Sequence, residues 1–170
     1  MIKKLIESDD YMLRNRIKSC SYNLDRHELS KILIENMLHY NGVGLSANQI
    51  GIEERAFCMM IDVETEETIT CFNPRIIKSY SKEVVLEEGC LSYPGVFLDA
   101  KRPDSVVVKY EDANGKLHKE KLTGFTSRVF QHEYDHMEGT DFTHKVSRLK
   151  IERAMKKFNK TVKRLRNNPN

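Results

Sequence analysis

No apolar run in this chain of 170 residues comes near the roughly 20 that a membrane-spanning helix needs. Four prolines and eight glycines are too few for a collagen-like or low-complexity protein. None of the four cysteines (Cys20, Cys58, Cys71 and Cys90) stands in a C-x-x-C pair. The first residues, Met1-Ile2-Lys3-Lys4-Leu5-Ile6-Glu7, turn acidic before an apolar stretch develops, so they do not read as a secretory leader. Disulfides are therefore not expected to organise the fold. Cys20, Cys58 and Cys71 are expected as small buried hydrophobes. Repeats and long linkers are missing too, and the length suits one domain over residues 1–170. The expectation is a soluble, cytoplasmic protein with no membrane partner.

What is present is unevenly distributed. Net charge is +3. Residues 145–166, however, carry ten Lys or Arg and one acid, Glu152, which leaves the remaining body acidic. A basic tail on an acidic body points to an anionic partner for the tail. The same segment spaces Ile151, Met155, Phe158, Val162 and Leu165 as an apolar seam, which predicts an amphipathic helix over about 147–166.

Other elements follow from pattern. Asp25 with Glu28 three residues on is a capping-box arrangement. Leu29, Ile32, Leu33, Met37 and Tyr40 then recur at helical spacing over 25–41. Residues 42–49 read as a loop. Strands are expected over 56–63, 68–72, 84–86, 105–110 and 116–122, the last two joined by the turn Asp112-Ala113-Asn114-Gly115. Short strands joined by turns favour antiparallel pairing, hence an α+β fold. A helix over about 125–137 follows.

That helix carries Gln131-His132-Glu133-Tyr134-Asp135-His136. Positions i and i+4 share a helix face, so two imidazoles can grip one metal ion with Glu133 beside them to move protons. A solvated helix bearing two histidines is the plainer alternative. A catalytic site usually takes a third protein ligand and keeps one position open. Downstream, Glu138, Asp141 and His144 could supply it. Upstream, Glu87-Glu88-Gly89-Cys90-Leu91-Ser92 offers a thiolate.

Taken together, Gly42-Val43-Gly44-Leu45-Ser46-Ala47-Asn48-Gln49, Glu88-Gly89-Cys90-Leu91-Ser92 and Gln131–His136 resemble the three motifs of the peptide deformylase family, in its order. The similarity runs over about residues 10–165. It implies antiparallel strands packed around a central H-E-x-x-H helix, with a C-terminal amphipathic helix. It implies hydrolysis of the formyl group from N-formylmethionyl peptides. Cys90, His132 and His136 would hold one divalent metal ion, Fe2+ first, with Zn2+, Ni2+ or Co2+ accepted. Glu133 would be the general base. The Gln49 amide and the Leu91 backbone N–H would steady the oxyanion.

Glu88, paired with Arg102, would lie behind His132. Asp135 is expected to face away from the ligands. Val43, Gly44, Leu86 and Val129 would meet the substrate, with Gly44 leaving room for an extended peptide; Val43, Leu86 and Val129 fit plain core packing equally well. The basic helix would dock on ribosomal RNA near the nascent chain exit, or simply face water. Ser46, Met137 and Phe97 depart from the usual family residues, Phe97 where a basic side chain is common. Two rivals stand beside this reading: a zinc endopeptidase with a non-cysteine third ligand, and a catalytically dead RNA-binding module.

Overall fold

The computed structural model describes the backbone of residues 1–167 and the side chains of residues 1–164. The helices are α1 (Tyr11–Arg14), α2 (Arg26–His39), α3 (Gly124–Met137) and α4 (Arg148–Asn167). The strands are β1 (Gly44–Ser46), β2 (Ala56–Asp62), β3 (Glu67–Ser79), β4 (Glu83–Cys90), β5 (Tyr93–Pro103), β6 (Ser105–Glu111) and β7 (Leu117–Thr123). A five-stranded sheet has the order β1-β2-β3-β6-β7, and β4 with β5 forms a separate ribbon. Every pairing is antiparallel.

The centre of the large sheet is covered on both faces. Alternate residues of a strand point to opposite faces. Phe57 and Met59 of β2 meet Val129, Phe130 and Met137 of α3 in one core cluster. Ala56, Cys58 and Met60 meet Leu29, Leu33 and Met37 of α2 in another. That is why Ala56–Met60 is buried at every position. α2 starts where its cap predicts, with the Asp25 side chain accepting from Glu28 N at 2.9 Å.

The ribbon has its own core. Cys90, Val96, Leu98 and Phe142 are buried with Val146, Ile151, Ala154 and Phe158 packed against them. α4 thus lies on the ribbon. Its seam departs from the expected one, because Ala154 is drawn into it while Met155 is 37% exposed. The side chains of Leu165 and Arg166, and residues 168–170, lie outside the described residues.

Three further differences have local causes. β3 runs on past Phe72 to Ser79 through Asn73, at φ 50°, and Pro74, with register shifts against β6. A bulge lets a strand pass such residues, which otherwise end one. β5 is a full strand where none was expected. The segment expected as a loop forms β1 and a 3-10 turn, Ala47–Ile50, in which Ser46 N donates to Gln49 Oε1 at 3.0 Å.

Candidate active site

On α3, residues four apart stack on one face, so Arg128, His132 and His136 form a row. The row faces the ribbon. β4 delivers Cys90 to the same place at its last position, beyond a register shift between Gly89 and Cys90. One donor atom from each of Cys90, His132 and His136 lies within 4.8 Å of the other two. The Cys90 Sγ is 3.4 Å from His136 Nε2. His132 Nδ1 donates to Glu88 Oε2 at 3.0 Å, which leaves Nε2 as its free donor atom.

Burial sets the electrostatics. His136, 1% exposed and beside His132, has its pKa lowered to about 3 by burial first, so it stays a neutral imidazole. Burial also works against charge on His132, but hydrogen bonds to Cys90 and Glu88 outweigh it and raise the pKa well above the ordinary value. A cation bound here must displace that proton. Glu133 is 3% exposed, and burial lifts its pKa to about 7. Its Oε2 and the His136 Nδ1 are buried without a hydrogen-bond partner. One thiol and two imidazoles, converging beside an open cleft, are the donor set of a three-ligand metal site with a position to spare. The residues present fit a single divalent ion.

Behind His132 lies a cluster of charges. Glu88 receives Arg102 Nε at 2.6 Å and Arg128 Nη1 at 2.8 Å on Oε1, and Arg102 Nη2 at 2.9 Å on Oε2. Burial alone would raise its pKa, but these bonds and His132 hold it well below the carboxylate range. Arg102, 2% exposed, also donates through Nη1 to Asp135 Oδ2 at 2.7 Å. Asp135 therefore belongs to this cluster through Arg102. Its neighbour-of-neighbour spacing from Glu133 turns it from the metal ligands but toward the arginine that supports them.

On the other side, Gln49 is 1% exposed. Its Oε1 accepts from Ser46 N at 3.0 Å and Ser46 Oγ at 2.9 Å, which fixes the amide orientation. Its Nε2 then points toward Ser92 Oγ, 3.1 Å away, and Cys90 Sγ at 3.5 Å. Gly44 must lack a side chain: a Cβ there would lie 2.5 Å from Glu133 Oε1. The Glu133 carboxylate fills that space, a constraint on this glycine in addition to the expected room for a peptide.

A cleft of about 670 Å³ opens over these groups. Val43, Gly44, Gln49, Leu86, Glu88, Cys90, Leu91, Val129, His132 and Glu133 all line it. His136 and Arg102 lie outside this lining. Leu86 and Val43 are 48% and 41% exposed, so they are rim rather than core, whereas Val129 is buried at 5%. Phe97, 59% exposed, lines the cleft as well.

β1 is an edge strand of the large sheet. Val43 O accepts from Met60 N at 2.8 Å, inward. Antiparallel backbone groups alternate in direction, so those of Gly44 face outward, away from β2.

The downstream alternatives are engaged elsewhere. Glu138 pairs with Arg55 and Arg16, and Asp141 accepts from Arg14, Tyr93 and Thr143. The His144 side chain is 55% exposed. Sequence reasoning gave Arg128 and Ser92 no role and did not bring Asp135 to Arg102; Arg128 stands four residues before His132, and Ser92 and Asp135 lie within the motifs of Cys90 and His132.

Comparison with known proteins gives a consistent result. A sequence model of the family described as polypeptide deformylase matches residues 2–152. The peptide deformylase of Thermotoga maritima is 36% identical over 159 residues, which covers 91% of this chain and 95% of that protein. A crystal structure of a peptide deformylase from Legionella pneumophila superposes with a TM-score of 0.87 at 33% identity, covering 99% of this chain and 100% of the other. A class I type b peptide deformylase from Acinetobacter baumannii, crystallised with Met-Ala-Ser bound, gives 0.79 at 26% identity, covering 86% and 99%. With a family model over most of its length and its fold shared with these proteins, the chain belongs to the polypeptide deformylase family.

Proposed function

We propose that Cys90, His132 and His136 hold the metal ion of a peptide deformylase, and that Glu133, Gln49 and the Leu91 backbone N–H carry out the chemistry around it. The enzyme removes the N-terminal formyl group from formyl-methionine of newly made polypeptides and releases formate. The observation that carries the residue assignment is the meeting of one sulfur and two imidazoles, within 4.8 Å of one another, beside a carboxylate with an unpartnered oxygen.

A divalent ion held by Cys90, His132 and His136 would supply Lewis acidity that brings the pKa of water toward neutrality. Fe2+ is the ion we assign, with Zn2+, Ni2+ or Co2+ as substitutes, since a Cys/His₂ set suits several of them. Glu133 takes the proton of the attacking water and holds it on its carboxylate. It hands that proton to the methionine nitrogen as the C–N bond breaks. Gln49 Nε2, held in orientation by Ser46, donates to the oxygen that becomes negative, together with Leu91 N–H. Glu88 fixes the ring of His132 through Nδ1, and Arg102 keeps Glu88 charged.

The peptide lies in the cleft as an added strand, taking backbone hydrogen bonds from the outward groups of Gly44. The methionine side chain fills an apolar pocket made by Val43, Leu86 and Val129 against the His132 ring. A substrate emerging from the ribosome places the work in the cytoplasm. Lys150, Arg153, Lys156, Lys157, Lys160 and Lys163 are exposed on α4, a surface suited to ribosomal RNA phosphates near the nascent chain exit.

Formate release from formyl-Met-Ala-Ser by anaerobically purified, iron-loaded protein tests the activity. Steady turnover is expected, and its absence from a sample of full metal content overturns the reading. Co-sedimentation with ribosomes should weaken steeply with salt and be lost when α4 is removed. Binding that survives removal of α4 discards the docking role.

A further inference from the structure

Arg128 is the one side chain of α3 that bonds to both strands of the ribbon. Its Nη1 donates to Glu88 Oε1 at 2.8 Å and to Ala100 O at 2.9 Å, and its Nη2 donates to Val84 O at 2.7 Å. Val84 and Glu88 belong to β4, and Ala100 belongs to β5. The side chain is 11% exposed, so these bonds form largely out of water. The ribbon and α3 each bring part of the ligand set. Cys90 ends β4, while His132 and His136 follow Arg128 at four-residue steps on α3.

We propose that Arg128 is a positioning residue, whose forked head clamps the ribbon to α3 and so fixes the spacing between the thiol and the two imidazoles. The inference rests on the reading of Cys90, His132 and His136 as ligands, and adds a determinant of how firmly they hold the ion. Glu88 alone cannot do this, because its bond to His132 steers one ring without fixing the strands. The second arginine on Glu88, Arg102, sits on β5 itself and reaches α3 only through Asp135. Arg128 works in the other direction, from the helix into the backbone of both strands. A lysine cannot replace it, since a compact ammonium lacks the planar fork that spans three acceptors.

The test compares wild type with Arg128→Met, Arg128→Lys and Cys90→Ser, each loaded with Co2+. Three quantities are read: the rate of metal loss to a chelator, the thiolate-to-cobalt absorption band, and kcat and KM separately. Loss of a group supporting a ligand typically costs 10–100-fold in metal affinity. Arg128→Met should therefore release cobalt about 10–100-fold faster. It should also shift the thiolate band and lower kcat with little change in KM. Arg128→Lys, which keeps the charge and loses the fork, should fall between Arg128→Met and wild type.

Release and band both at wild-type values in Arg128→Met, while Cys90→Ser loses cobalt, overturn the clamp and leave the ligand reading standing. Cobalt held by Cys90→Ser as tightly as by wild type overturns both. If Arg128→Met does not fold, Arg128→Lys decides: wild-type release from it contradicts the clamp, and faster release with a shifted band supports it.

Discussion

The two helices of the C-terminal third treat polar residues in opposite ways. α3 buries Gln131, His132, Glu133 and His136 between the sheet and the ribbon. Among the described residues, α4 turns its lysines and arginines to water and lays Ile151, Ala154 and Phe158 on the ribbon. Each buried polar group on α3 was forced to find a specific partner or to change its proton affinity, and both outcomes serve chemistry. The exposed cations of α4 keep their solvent and constitute a surface. Burial thus separates the two helices: it perturbs the ionisable groups of α3 and leaves the cations of α4 in solvent.

The same contrast recurs between two glutamates. Glu88 and Glu133 are both buried, yet Glu88 is held charged by two arginines and His132, while Glu133 is raised to about 7 with one oxygen unpartnered. One carboxylate is fixed in its charged form, and the other is left with a proton affinity near neutrality.

The comparison breaks most visibly at Glu133. Glu133→Gln should keep its metal and lose about 10²–10⁴-fold in kcat/KM, the usual share of a general acid–base group. Formate release alongside metal analysis checks this, and near-normal turnover contradicts the assignment. Next is the cluster under α3. Arg102→Met strands Glu88 and Asp135 without their shared cation, and breaking a buried pair typically costs about 3–5 kcal/mol. Urea unfolding of the metal-free protein measures it, and a loss under 1 kcal/mol, the level of an exposed pair, would mean that the cluster is solvated.

The α4 side predicts less. The Phe158 ring occupies the space that a Cβ on Gly95 would need, and Gly95 sits at φ 75° on the cleft wall. Phe158→Ala should cost less than the about 3–5 kcal/mol of a fully buried phenylalanine, because this ring is only partly covered. A larger loss in the same unfolding assay would make α4 part of the central core.

Smallest is a pH effect where the ribbon meets the segment before α4. Burial would raise the pKa of Asp141, but bonds from Thr143 and Tyr93 and the charge of Arg14 lower it to about 2. A carboxylate depressed on folding stabilises above its unfolded pKa and loses that contribution as pH falls through the folded value. The stability gap between wild type and Asp141→Asn should be full above about pH 4 and narrow toward pH 2. A gap independent of pH contradicts it.

Much of this was legible in the sequence, for reasons specific to each place. α2 announced itself through Asp25 and its apolar spacing, and α3 through the four-residue step of His132 and His136. Both signals are local. β5 was hidden although its burial alternates, because Pro94 and Gly95 open it and its inward positions include Ala100 and Arg102. A buried arginine cannot be told from an exposed one until its carboxylate, fourteen residues away, is seen beside it. Arg128 was hidden in the same way, its partners lying on two strands 28 to 44 residues upstream. β3 seemed to stop at Phe72, since a positive-φ asparagine and a proline normally end a strand. Met155 entered the expected seam of α4 because spacing alone cannot choose between neighbouring faces when the supporting surface is unknown.

The proposed centre is one sulfur and two nitrogens sharing a single ion. X-ray absorption at the metal edge of the loaded, fully active protein tests this most directly. The expected result is one sulfur scatterer at about 2.3 Å, the ordinary zinc–thiolate distance, beside light-atom neighbours that include two imidazoles. A coordination shell of nitrogen and oxygen alone, in protein that still releases formate at its normal rate, would contradict it.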